Sequence, residues 1–384
     1  MNSRERVLLS LKHKEPDRVP FDLSGASVTG ITIKAYKKLL NYLGLDNKKK
    51  IEIILLHSQS VSVEENVLKK LKVDVRGIHP NLPIRWKVSI KEDDNYTYYK
   101  DGWGIIRRMP KKNGLYYDST EFPLSNVNTG DLEKYSWPNP ANPLIFQGLK
   151  EKALKLKKET DAALVVGRPF GNGILNMGAW LEGYENWFCD LISNPKRVNK
   201  IMDKILELKI KYWDRILTEI GDYVDVIVEI DDLGTQNSLL VSPKIYRKYV
   251  KPRQKELFNF IKQKTPVYIF FHTDGAIYDL IPDLVEVGID ILNPVQIGLP
   301  KMDAKLLKKE FGKYLSFWGG GVDTQKTLPY GTPQEIKDEV KRRIQDLSPQ
   351  GGFIFSAVHA IQADVPPENF MTMWEALQEY GVYS

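Results

Sequence analysis

Cysteine is almost missing from this sequence: Cys189 stands alone among 384 residues. A lone thiol excludes an internal disulfide framework, and it equally excludes a metal site built on several thiolates of one chain. Long apolar runs are missing too, since nothing approaches the roughly eighteen consecutive residues of a membrane-spanning helix. The first twelve residues place Arg4, Glu5 and Arg6 where a secretion signal needs an apolar core, and Val7, Leu8 and Leu11 are spaced as on a short amphipathic helix. A soluble, cytoplasmic protein is expected. No Gly-x-Gly-x-x-Gly turn follows any β-like run, which argues against a Rossmann dinucleotide site. The net charge of +6 comes largely from lysine clusters such as Lys48-Lys49-Lys50 and Lys152 to Lys158. These alternate with apolar or acidic residues and read as solvated helix faces, so neither nucleic acid nor a membrane is an expected partner.

What is present is a strong α/β rhythm. The N-terminal part holds a strand-like Arg18 to Leu23, a lysine-rich helix near Ile33 to Leu43, and short β-prone runs between Leu82 and Ile106. From Ala162 onward, β-branched runs alternate with helical patterns. The runs are Ala163–Gly167, Val224–Glu229, Val267–Phe271, Ile289–Leu292, Leu315–Trp318 and Gly352–Phe355. Thr332-Pro333-Gln334-Glu335 has the composition of a helix start, and Ile336, Val340, Ile344 and Leu347 then share one face. Six nearly continuous apolar strands, each returned by a helix, imply a parallel sheet covered on both faces. Adding the N-terminal strand favours closure, so the expected fold class is α/β: a (β/α)8 TIM barrel with N-terminal additions. One domain is expected over residues 1–384, with a small antiparallel insertion at roughly residues 80–125.

Barrel chemistry sits at strand C-termini, and there the chain is consistently polar. Arg168 follows the first run, Glu229, Asp231 and Asp232 the second, and His272 and Asp274 the third. Asn293 and Gln296 follow the fourth, Gly319-Gly320-Gly321 with Asp323 the fifth, and His359 the sixth. Each has a plain structural alternative: a histidine capping a strand, aspartates capping a loop before Gly234, glycines allowing a tight turn. The pairing of His272 with Asp274 shifts the balance toward a metal or acid–base site. Glu229 ends an apolar strand, where a carboxylate needs a cation, a metal or a proton. His13, His57 and His79 read as incidental, and Trp180 and Trp187 as core.

At these positions the chain resembles the uroporphyrinogen decarboxylase-like superfamily, which includes cobalamin-dependent methyltransferases. The resemblance is carried by Ser3 to Val7, Glu15-Pro16-Asp17-Arg18-Val19-Pro20, Asp101-Gly102-Trp103-Gly104, Phe271-His272-Thr273-Asp274-Gly275, Gly288 to Gln296 and Trp318 to Thr324. It is closer to the methyltransferase-type members. Where true uroporphyrinogen decarboxylases carry an arginine-rich run for the tetrapyrrole carboxylates, this chain has Val19 to Gly25 with Asp22, a charge of the wrong sign. The methyltransferases bind zinc through a His-x-Cys motif and a later cysteine. Here His272 matches the histidine, Asp274 replaces the first cysteine and His359 falls near the second. The resemblance therefore implies a Zn2+ site of His272, Asp274 and His359, with Glu229 as a further ligand, in which fewer thiolates leave the metal more Lewis acidic.

The leading expectation is a metal-dependent methyltransferase component that takes a methyl group from a small methylated, possibly O-methyl, substrate and passes it to a corrinoid protein. Asp231 and Asp232 are expected to move a proton or orient the substrate, with Arg168 the third catalytic candidate. Asn293, Gln296, Gly320 and Asp323 are the substrate-binding candidates. A second reading is a decarboxylase or lyase acting on an acidic substrate held by Arg168, with His359 and Asp231 as acid–base groups. A third is an inactive ligand-binding barrel. A corrinoid protein and a homodimer mate complete the partners to look for.

Overall fold

A computed structural model describes residues 1–45, 50–81 and 89–383. Lys48, Lys49 and the 82–88 part of the β-prone stretch lie outside the described residues. Helix α1 (Ser3–Leu11) opens the chain on a capping box, Asn2 accepting from the Glu5 N–H and Glu5 from the Asn2 N–H. The frame is seven parallel strands: β1 (Val75–Ile78), β2 (Ala163–Val166), β3 (Val226–Ile230), β4 (Tyr268–His272), β5 (Ile291–Asn293), β6 (Ser316–Trp318) and β7 (Phe353–Ile354). Each pairs with its neighbour in chain order, as successive βα units wound around one axis must.

The edges of β1 and β7 are joined through the N-terminal segment. Asp22 N–H donates to the Phe355 carbonyl at 2.9 Å and Phe355 N–H to the Pro20 carbonyl at 2.8 Å, while Asp74 N–H donates to the Phe21 carbonyl at 2.8 Å. The curled sheet thus becomes a TIM-like barrel. The strand-like Arg18 to Leu23 is the piece that closes it.

Strand periodicity sorts the side chains into two shells. Val75, Val165, Val226, Val228, Phe270, Ile291, Trp318 and Ile354 fill the barrel, and Val7 and Leu11 of α1 join them from below. Fully burying each such aliphatic contributes about 1.5–3 kcal/mol. Arg4 and Arg6 fasten the plug by ion pairs to Asp225 and Asp74, at 2.8 and 2.7 Å. The alternate residues, among them Val166, Ile227, Phe271, Leu292 and Phe317, face the surrounding helices. These include α2 (Ile174–Glu182), α3 (Pro195–Ile220) and α4 (Pro333–Leu347), the last opening on the Thr332–Glu335 capping box that its sequence announces.

With the lower end plugged, the loops at the strand C-termini form the open face. Two antiparallel pieces lean over it. One is the hairpin of Ile53–Leu55 and Ser60–Val61, and the other a four-stranded meander of Lys91–Glu92, Tyr96–Lys100, Ile106–Pro110 and Asp118–Glu121. Among the described residues, no helix is long and apolar enough to cross a membrane.

Candidate active site

The end of β4 sets the centre of the site. Phe270 and His272 point into the barrel and Phe271 points out, so His272 reaches the top of the barrel with its side chain only 2 % exposed. In the parallel register its neighbour on β5 is Asn293, whose Oδ1 lies 2.5 Å from His272 Nδ1. Asn293 Nδ2 donates to the Trp318 carbonyl at 2.6 Å, which leaves Oδ1 as the acceptor. His272 Nδ1 therefore donates, and Nε2 faces the mouth. There it meets Asp274 Oδ2 at 3.6 Å, and His359 Nε2 approaches the same oxygen at 4.0 Å.

The donor atoms of His272, Asp274 and His359 all lie within 4.8 Å of one another, so this group has the make-up of a metal site. Ligands of a tetrahedral zinc ion stand about 3.3 Å apart at bond lengths of about 2.0–2.1 Å, and the three donors must close by roughly an ångström to hold one. The Asn293 bond to His272 supplies the orienting contact that such sites need. In the metal-free chain the charges are tightly coupled. Burial opposes a charge on His272, but Asp274 and Asp232 outweigh it and carry its pKa up to about 9. Burial likewise raises Asp274, yet the imidazolium of His272 overrules it and brings it down to about 2. Asp232 goes up to about 6, pushed by burial and then by the negative charge of Asp274.

Glu229 does not join this group, which corrects the expectation of a fourth ligand. Register places it opposite Phe271 on the outer face of the barrel, and Phe271 packs there on Phe258. Glu229 meets Lys209 of α3 at 2.7 Å and accepts from Trp213 Nε1 at 2.5 Å, all of them buried. The cation its burial demands is a lysine.

Asp231, one residue past β3 on the same outward parity, accepts from the Leu175 and Asn176 N–H groups at 3.0 Å each, and from the side chains of Asn176 and Gln254. It holds the first turn of α2, and unlike His272 it lines neither of the cavities at this face. The proton-transfer role expected of it is therefore corrected. Asp232 does face the mouth, with Oδ1 3.9 Å from His272 Nε2 and accepting the Asp274 N–H at 3.1 Å.

Of the substrate-binding candidates, Asn293 serves His272 instead. Gly320 packs against β5's following loop, where an added Cβ would lie 2.8 Å from that of Val295. Its lack of a side chain is explained by packing. Gln296 lines the mouth and accepts the Gly275 N–H at 2.7 Å. Asp323 also lines it, though its Oδ1 is engaged by the Gln325 and Lys326 N–H groups at 2.7 Å each.

Two cavities open at this face. The outer one, about 1530 Å³ with its open mouth, holds the His272, Asp274 and His359 group. The inner one, about 1160 Å³ counted with the open space at its mouth, is walled by Tyr99, Trp103, Phe170, Trp180 and Tyr212 and holds Arg168, whose Nη1 donates to the Ile54 carbonyl at 3.0 Å. Ser27, Leu55, His57, Asn172, Trp180 and Ile230 line both. His57 and Trp180 form an edge-on pair across the junction, ring centroids 5.7 Å apart. Both were read from the sequence as unrelated to the site, as was His79, which lines the inner cavity. Trp187 is core, as expected.

The profile of the family described as Uroporphyrinogen decarboxylase (URO-D) matches residues 118–380, more than half of the chain. Curated relatives include the uroporphyrinogen decarboxylase of Geobacter sulfurreducens, 25% identical over 262 residues that make up 67% of this chain and 71% of that protein. That of Geobacter metallireducens is 25% identical over 278 residues, 69% of this chain and 75% of its own. Among solved structures, a methyltransferase from Methanosarcina mazei superposes with a TM-score of 0.65 at 18% identity, covering 99% of both chains. Likeness at that identity speaks for the fold. The matched span contains strands β2 to β7 and every residue of the His272, Asp274 and His359 group, and on that match the chain belongs to the uroporphyrinogen decarboxylase (URO-D) family.

Proposed function

We propose that this chain is the substrate-demethylating component of a methyl-transfer system: it takes the methyl group of a small O-methyl compound and passes it to a corrinoid carried by another protein. The observation that carries the reading is the convergence of His272, Asp274 and His359, a donor set without sulfur, at the mouth of a cavity. These three residues would hold a divalent ion, which we take to be zinc, and it would supply Lewis acidity to the heteroatom that gives up its methyl group. Asn293 keeps His272 Nε2 turned toward the place of that ion. Asp232 and Gln296 orient the polar end of the substrate from the same mouth, and the aromatic walls of the inner cavity exclude water. The full-coverage likeness to a Methanosarcina methyltransferase agrees with this reading.

Decarboxylation of uroporphyrinogen is the weaker reading, because an eight-carboxylate substrate needs several free cations. Asp22 offers none: it is 2 % exposed and is taken up by the Ser24 and Gly25 N–H groups and Trp318 Nε1. The test supplies zinc-loaded protein with methoxylated compounds and reduced cobalamin and follows methylcobalamin by its visible spectrum. Protein-dependent formation that disappears in His272→Ala is expected, and the same protein should convert no uroporphyrinogen to coproporphyrinogen. Enzymatic coproporphyrinogen formation, or no methyl transfer from any compound to which the zinc-loaded chain binds, would contradict the proposal.

A further inference from the structure

The inner cavity holds a guanidinium that forms no ion pair among the described residues. Arg168 uses Nη1 on the Ile54 carbonyl, and among the described residues Nε and Nη2 have no hydrogen-bond partner and no carboxylate lies within 4.0 Å. Arg168 is half-buried, lining both this cavity and a more open cleft beside Glu52, and burial pulls its pKa below the ordinary arginine value. A charge held partly out of water normally finds a counter-charge, so an unpaired one lining a cavity suits an anion.

The other titratable groups of the cavity do not answer it. Asp101 is bound by Arg107 at 2.8 Å and also accepts from the Trp103 and Ile105 N–H groups. Arg107 in turn lies over the Trp180 ring, 4.3 Å from its centroid, and is spent as a neighbour of that wall. His57 and His79 are each driven down to about 3, first by burial and then by nearby cations, and are neutral. One positive charge is left over.

The walls specify the rest of the ligand. Trp103 and Phe170 pack with ring centroids 5.3 Å apart on one side, and Trp180 stands with His57 at the junction to the outer cavity. Aromatic side chains lining a cavity with a single unpaired cation suit a flat, singly charged acid. His57 lines the inner cavity with Arg168 and the outer one with His359, so a ligand held at Arg168 has its way toward the histidines through that junction.

We propose that the inner cavity is an anchoring site for a planar aromatic monocarboxylate, with its carboxylate on Arg168 Nε and Nη2, its ring between the Trp103–Phe170 wall and Trp180, and its far end toward His272 and His359. The placing of the reacting end rests on the methyl-transfer reading; the binding site does not. Isothermal titration calorimetry of the full chain, zinc-loaded and zinc-free, compares benzoate, benzamide and cyclohexanecarboxylate. Benzoate should bind, and benzamide, equal in shape but neutral, should bind about 10- to 100-fold more weakly, the range of a lost charged hydrogen bond. Cyclohexanecarboxylate should also be weaker than benzoate. In Arg168→Gln the preference for benzoate over benzamide should vanish, and Arg168→Lys should restore part of it. Equal affinity for benzoate and benzamide in the native chain, or an unchanged preference in Arg168→Gln, would overturn the proposal. Selective benzoate binding together with a failure of methyl transfer would sink the functional reading alone.

Discussion

At the scale of single residues, the site depends on which face of a strand each side chain takes. His272 and Asn293 face inward on neighbouring strands, while Glu229 sits one position out of phase with Ile230, which pairs with His272. That parity could not be read from the sequence of β3, because Val226, Ile227 and Val228 make both faces apolar, as a strand covered on both sides requires. His272 and Asp274 were legible because they close a strand in polar company. His57 and Trp180 were not: His57 rides on an irregular hairpin, and Trp180 lies on α2, which is apolar nearly all round and gives no amphipathic signal. The pairing of Glu229 with Lys209 leads to a prediction opposite to that for a ligand. Glu229→Gln should keep full metal content yet lose about 3–5 kcal/mol of stability in urea, since Lys209 is left charged and unpaired in the interior. Replacing both partners by apolar residues should recover much of the loss. Loss of metal with unchanged stability would return Glu229 to the coordination sphere.

At the scale of elements, the strands from Ala163 onward were legible because β-branched runs and capped helices alternate without interruption. What the pattern did not announce is how helix ends are tied to strand ends. Asp231 is the clearest case, a residue just past β3 whose carboxylate receives the first turn of α2. The fit is close: a Cβ on Gly173, just before that helix, would lie 2.0 Å from Asp231 Cγ. A carboxylate at a strand end reads as chemistry from the sequence because helix caps and catalytic acids use the same residue type. The two roles separate experimentally. Asp231→Asn should cost about 1–2 kcal/mol of stability through the weakened cap and lower methyl transfer by less than about tenfold. A loss of about 100-fold or more with stability unchanged would mark it as an acid–base group after all.

At the scale of the whole molecule, the barrel brings together groups that are far apart in the chain. His272 ends β4 and His359 follows β7, yet their ring centroids stand 5.6 Å apart. The lower end is closed by α1 and the circle by residues 19–22, so the open face and its two joined cavities are what the fold leaves for chemistry. The polar residues that follow each strand run located this face from the sequence, whereas the inner cavity depends on Tyr99 and Trp103 being carried in by the antiparallel insertion, a placement no local pattern encodes. The central claim is that His272, Asp274 and His359 hold one divalent ion without any thiolate. The most direct test is elemental analysis and chelator competition on the purified native chain beside His272→Ala. One zinc ion per chain is predicted for the native protein, with most of it lost in the variant while its circular dichroism and unfolding midpoint stay close to native, because the barrel core does not rest on that side chain. Unchanged metal content in folded His272→Ala would contradict the account.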